Sequence, residues 1–188
     1  MNATLSLEEV QQALFSFSAK QSSERLPMNV SLKIDDGDDE VKKDLQRLIE
    51  EGKILWNYNM KSQIGFNPAS NPDHLIRCVA YYGNKEMEYY CVGYVLGCVN
   101  KDGDAMEIDF IEKRSDASED LRSKFLPIIV DAFATYGLYL NSRELANINK
   151  LVLVGPVEEV LSYYKRKGFN FSEDYKGTTA MIMDKFTG

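Results

Sequence analysis

The order of local patterns along the chain predicts a mixed α/β fold, with a central mixed sheet and helices on both faces. Three observations carry this. Helix-type periodicity dominates the first fifty residues around one short strand, and three strand-type runs with hairpin-like turns follow between 74 and 111. The C-terminal third alternates helix and strand from residue 120 onward.

The first helix is expected over residues 6–17, with Leu7, Val10, Leu14 and Phe17 at helical spacing. Ser6 and Glu9 have the spacing of a capping box. A small, polar stretch at 18–25 reads as a linker, and residues 30–34 alternate as a half-buried strand does. The acids of 35–39 lack the ligand spacing and closing glutamate of a calcium loop. They read as a turn that places negative charge at the next helix N-terminus. That helix, 40–51, puts Val41, Leu45, Leu48 and Ile49 on one face and stops at Gly52. Residues 54–71 show no clear period, although Trp56, Tyr58 and Phe66 lie among Asn, Ser, Gly and Pro; the segment reads as a functional loop or an unplaced helix. Strands are expected at 74–82, 89–100 and 105–111. A strongly apolar helix at 120–136 contains Pro127, which calls for a kink or a late helix start. Strand 150–154, helix 157–167 and strands near 169–171 and 178–185 complete the order.

Composition narrows the function. The chain has 188 residues, 44% hydrophobic and 27% charged, enough for one sizeable core. A formal net charge of -7 argues against nucleic-acid backbones or anionic membranes as main partners, and leaves room for a cationic acceptor. Cys78, Cys91 and Cys98 lie in apolar runs with no C-x-x-C spacing, and His74 is the sole histidine; neither a disulfide framework nor a metal site is expected. Without a basic flank before an apolar run, or any apolar stretch of bilayer length, a cytoplasmic location is expected.

Two motifs carry the chemistry. The first is Leu151-Val-Leu-Val154 followed by Gly155-Pro156 and a helix with Tyr163 and Tyr164, closing at Gly168-Phe169. The second is Met106-Glu-Ile-Asp-Phe-Ile111. Together with the element order they resemble the GNAT (GCN5-related) N-acetyltransferase superfamily over roughly residues 30–185, with 1–26 as an N-terminal helical extension to a single domain at 27–188. The resemblance implies transfer of an acetyl group from acetyl-coenzyme A, as cosubstrate, to a primary amine by direct attack, the acceptor being a small molecule or a peptide. It implies Glu107 as general base, with Asp109 as the weaker alternative on the same strand face, and Tyr164 as proton donor to the departing thiolate. Phe110 and Ile111 would lie beside the pantetheine arm, with Trp56 and Tyr58 on the acceptor side.

The pyrophosphate cradle departs from the family pattern. Counting on from Glu107 without gaps places Ser118-Glu-Asp-Leu121-Arg-Ser123-Lys124 where the family has Gln/Arg-x-x-Gly-x-Gly/Ala, and neither glycine is present. Asp116, Glu119 and Asp120 put carboxylates at the expected helix start, and Asp116 with Glu119 has capping-box spacing. Arg114, Arg122 and Lys124 are the compensating cations, with Leu121 and Ser123 as backbone contacts. Val157 stands where the family often has a coenzyme-binding asparagine. These departures supply an alternative: a GNAT-fold protein that has lost the coenzyme and serves as a protein-interaction module. Oligomeric state is open, a homo-oligomer included.

Overall fold

A computed structural model describes residues 5–184. Helix α1 (Leu7–Ser23) opens with the expected capping box: Ser6 Oγ accepts from Glu9 N–H at 3.2 Å, and Glu9 Oε2 accepts from Ser6 N–H at 2.7 Å. The helix extends through the expected linker, and its buried residues are Gln11, Phe15, Ser18 and Ala19; Phe17, assigned to the apolar face, is exposed. Polar residues on the buried stripe hid it from the periodicity. Gln11 answers to Tyr136 Oη at 3.4 Å, and Phe15 meets Phe133 edge-on at 5.5 Å.

Strand β1 (Asn29–Ile34) leads to α2 (Asp39–Glu50). Asp38 caps α2 by accepting from Glu40 N–H, so the acidic turn serves the helix start as expected. A single helical turn, α3 (Tyr58–Lys61), breaks the irregular segment. Strands β2 (Leu75–Gly83), β3 (Tyr90–Val99) and β4 (Ala105–Lys113) form the meander, followed by α4 (Phe125–Ser142), β5 (Lys150–Val154), α5 (Leu161–Arg166), β6 (Asn170–Tyr175) and β7 (Thr178–Met183). Lys185, expected in the last strand, and residues 1–4 of the expected extension lie outside the described residues.

The seven strands run in the order β1-β2-β3-β4-β5-β7-β6, with β4 and β5 the one parallel pair. One face buries Ile76, Val95, Met106 and Ile108 beneath α1 and α4. The other buries Val79, Tyr94 and Leu96 beneath Val41, Leu45 and Leu48 of α2. The fold class is therefore the mixed α/β arrangement that the element order predicts.

Helix α1 also guards an edge of the sheet. Val30 N–H donates to Ser23 Oγ at 2.9 Å, Ile34 N–H donates to Gln12 Oε1 at 2.8 Å, and Gln12 Nε2 donates to the Leu32 carbonyl at 3.0 Å. These side chains occupy backbone groups of β1 that an added strand would otherwise take.

One irregularity positions the site. In the β3–β4 ladder Leu96 pairs with Phe110 and Gly97 with Ile108, leaving Asp109 as an extra bulged residue. Strict alternation puts Ile108 and Phe110 on one face. The bulge separates them instead, Ile108 in the core under α1 and α4, Phe110 against the α2 core. Gly97 makes the approach of β4 feasible: a Cβ there would lie 2.1 Å from the Glu107 carbonyl oxygen and 3.0 Å from Phe133 Cε1. Gly97→Ala is therefore expected to lower stability by about 2 kcal/mol, read as a lower urea midpoint; an unchanged midpoint would contradict this packing.

Candidate active site

The site begins where two parallel strands part. β4 and β5 pair from Ala105/Lys150 to Ile108/Leu153 and no further, whereas β4 stays paired to β3 as far as Lys113. β5 ends because Gly155 turns with φ +57° and donates to the Thr179 carbonyl on the β7 side, and Pro156 has no N–H for a ladder. The bulge at Asp109 adds twist to β4 at the same level. The resulting slot, about 290 Å³, is lined by Asp109, Phe110 and Ile111 on one wall, Gly155, Pro156 and Tyr164 on the other, with Trp56 at one side. A second cleft of about 220 Å³ shares Ile111, Val160 and Tyr164 with it and reaches Lys113, Leu121, Ser123 and Phe125. The two form one groove.

Asp109 is the unusual group in this groove. Its Oδ2 is buried with no hydrogen-bond partner, and burial first, then the nearby Glu107 carboxylate, pushes its carboxyl up to about 7. Glu107 is differently placed. It is almost fully buried and does not line the groove. Oε1 accepts from Tyr175 Oη at 2.7 Å, and Oε2 from Ser70 Oγ at 2.5 Å and Cys98 Sγ at 3.5 Å, with Lys176 Nζ at 3.6 Å. Both oxygens are occupied by donors. Cys98 is pushed up to about 12, mainly by burial, so it is a thiol at neutral pH.

Tyr164 faces both parts of the groove from α5. Its orientation follows from the glycine that ends the helix: Gly168 takes φ +94°, and Phe169 N–H donates to the Tyr164 carbonyl at 3.1 Å. The Tyr164 ring lies 6.2 Å from buried Phe169. Burial, and then Tyr163, raises its phenol, which stays protonated at neutral pH.

Tyr58, expected beside the acceptor, is buried and donates to Asp35 Oδ2 at 2.7 Å, so it supports the core rather than the slot. Trp56 does reach the slot. Its backbone N–H and that of Leu55 donate to the Glu112 carboxylate at 3.2 and 2.5 Å, and Tyr94 Oη donates to the same carboxylate at 3.1 Å. Glu112 thus fixes the irregular segment to β4, a role sequence reading missed because it needs a partner 57 residues away.

The expected cradle is built differently from the gap-free count along the sequence. α4 starts late, at Phe125, with Pro127 in its first turn where a missing N–H costs nothing. Asp116, Glu119 and Asp120 therefore precede the helix, and its first turn holds no acid. No capping box forms between Asp116 and Glu119; Ser118 instead caps the short 3₁₀ turn Glu119–Leu121. Asp116 is bound by Arg114 at 2.6 Å and Lys53 at 2.9 Å, and these cations hold its carboxyl well below the usual range. Asp120 accepts from Tyr82 Oη. Of the sequence-derived contacts, Phe110, Ile111, Leu121 and Ser123 line the groove. Arg114 is committed to Asp116, Arg122 pairs with Glu119 at 3.4 Å, and Lys124 is exposed beside Ser123; none of the three lines it. Lys113 does, a cation that sequence reading left out. Ser123, at the position of the second family glycine, adopts φ +57°, the left-handed backbone that glycine serves.

No protein-family model and no curated protein matches the sequence. Solved structures do match. Tetrahymena GCN5 is 16% identical, with 82% of this chain and 94% of that chain covered at a TM-score of 0.50. Aminoglycoside 6'-acetyltransferase type Ii is 12% identical, covering 84% and 97%, also at 0.50. This chain has the GNAT fold.

Two outcomes test the geometry. Because the folded carboxyl of Asp109 binds its proton more tightly than the unfolded one (ordinary value 3.8), the folded state holds more protons between roughly pH 4 and 7. Stability is then lost as pH rises through that window, so Asp109→Asn should stabilise by about 2 kcal/mol at pH 8 and by nearly nothing at pH 4. Denaturant titrations at both pH values check this; an equal effect at both contradicts it. Ser123→Gly should add about 1 kcal/mol by relieving the left-handed residue, and a loss of stability would show that the Ser123 side chain contributes more than its backbone costs.

Proposed function

We propose that the chain is an acetyl-coenzyme A-dependent N-acetyltransferase, with Asp109 as the proton acceptor and Tyr164 as the proton donor. The observation that carries this reading is the buried, unpartnered Oδ2 of the half-buried Asp109 in the splay between β4 and β5, with Tyr164 lining the same slot. A carboxyl pushed up to about 7 suits a general base at neutral pH, because it is ionised often enough to act and basic enough to hold the proton. Phe110 and Ile111 would pass along the pantetheine arm, on the β4 edge that β5 leaves unpaired. Ser123, Lys113 and the uncapped N–H groups of Phe125 and Leu126 would face the pyrophosphate. Bound there, the cosubstrate supplies an activated acyl carbon.

Asp109 takes a proton from the acceptor's ammonium, directly or through one water. The free amine attacks the thioester carbon to give a tetrahedral intermediate, and the carbon–sulfur bond breaks as the Tyr164 O–H protonates the departing thiolate. The second proton, shed by the nitrogen as the amide forms, returns through water to the Tyr164 phenolate. Glu107, closed in by its donors, is assigned a positioning role: its charge helps hold the Asp109 carboxyl up. The interaction-module alternative rested on the missing glycines. The left-handed Ser123 and the acid-free first turn of α4 weaken that ground.

Calorimetry with acetyl-coenzyme A should show saturable binding, and no heat at millimolar coenzyme would remove the reading. Among amine acceptors that turn over, Asp109→Asn should cost about a hundredfold or more in kcat with binding retained. In the wild type the rate should rise with pH through about 7, as Asp109 loses its proton. Glu107→Gln should keep most activity and move that limb to lower pH. If Glu107→Gln abolishes turnover while Asp109→Asn does not, the two roles are reversed.

A further inference from the structure

A lysine ammonium lies over two of the rings that line the slot. Lys61, at the end of α3, places its Nζ 5.3 Å from the centroid of the Trp56 ring and 4.9 Å from that of Phe110. Both distances fall within the range in which an ammonium is attracted to the negative face of a ring. The rings stand 5.6 Å apart at 51°, and both line the slot that contains Asp109. Neither ring is placed by chance packing alone. Phe110 follows the bulge that turns it onto this face, and Trp56 is tethered through its backbone to Glu112. Trp56 is nearly half exposed, at 45%, so an incoming molecule can reach the pair.

We propose that Trp56 and Phe110 form the seat for the acceptor's ammonium group, and that Lys61 occupies this seat as an internal stand-in until an acceptor displaces it. The substrate class follows from the occupant: a primary ammonium on an unbranched aliphatic chain, the chemistry of the Lys61 terminus itself. Two rings suit this task better than a carboxylate would. They attract the cation without forming a strong hydrogen bond to the proton that must leave, and Asp109 in the same slot is free to accept that proton. The word acceptor rests on the acetyltransferase reading, whereas the cation seat itself does not.

The chain's only tryptophan is Trp56, so its emission reports the seat directly. The probe is n-butylammonium chloride, titrated against sodium chloride at equal ionic strength, with n-butanol as the neutral counterpart. With Lys61→Ser the seat is vacated, and a saturable emission change is expected at about tenfold lower probe concentration than in the wild type. Lys61→Gln should behave alike, and Phe110→Leu added to either variant should remove most of the gain. Near-ultraviolet circular dichroism selects the variants that are folded. Equal titrations for wild type and both Lys61 variants, or an equal response to butanol, would overturn the proposal. Coenzyme calorimetry on the same samples reads the other question separately. Coenzyme binding with no ammonium seat removes this inference alone, and an ammonium seat with no coenzyme binding removes the acetyl-transfer reading alone.

Discussion

Four paired positions, from Ala105 with Lys150 to Ile108 with Leu153, hold β4 beside β5, and the ladder then stops. The slot lined by Asp109, Phe110 and Tyr164 lies just beyond the stop. Gly155 and Pro156 end β5 by conformation and by the loss of a donor, while the bulge at Asp109 turns β4 away. A parallel pair that continued would bury these backbone edges in hydrogen bonds and leave no slot. The interruption leaves Asp109 between the strands with an oxygen that no protein donor reaches. The core packed on both faces of the sheet holds this costly arrangement in place.

Two of the three carboxylates of β4, Glu107 and Asp109, show how nearby positions on a strand acquire different surroundings. Glu107 lies before the bulge and is satisfied by Ser70, Tyr175 and Cys98, which tie β4 to the irregular segment, to β6 and to β3. Asp109 lies in the bulge, gains no such donors, and feels the charge of Glu107 as well as its own burial. A carboxyl raised well above its ordinary range is what a general base at neutral pH requires. Glu112, further along, fastens the segment that carries Trp56 and Lys61.

Much of the fold was legible in the sequence. The α2 face, the meander, the late start of α4, with Pro127 in its first turn, and the Gly168 stop each follow from local rules of spacing and backbone conformation. The Tyr164 position was legible for the same reason. Three features were not. Strict alternation put Ile108 and Phe110 on one face, which the bulge at Asp109 separates, since a bulge depends on how two strands meet rather than on either strand alone. The buried face of α1 was misread because Gln11 and Ser18 are polar yet buried, and Gln11 finds its partner, Tyr136, only in the folded state. The acids before α4 looked hostile to an anion because Lys53, which with Arg114 neutralises Asp116, lies some sixty residues away. Among the described residues, no helix is long and apolar enough to cross a membrane.

The central claim is that the splay leaves Asp109 half-buried, with its Oδ2 unpaired and its carboxyl basic. Carbon-detected NMR of the aspartate carboxyl groups, assigned by comparison with Asp109→Asn and followed from pH 3 to pH 9, measures this without reference to any substrate. Asp109 is expected to titrate with a midpoint of about 7. A midpoint near the ordinary aspartate value of about 4 would mean that water or a donor reaches the carboxyl, and would contradict its assignment as the base.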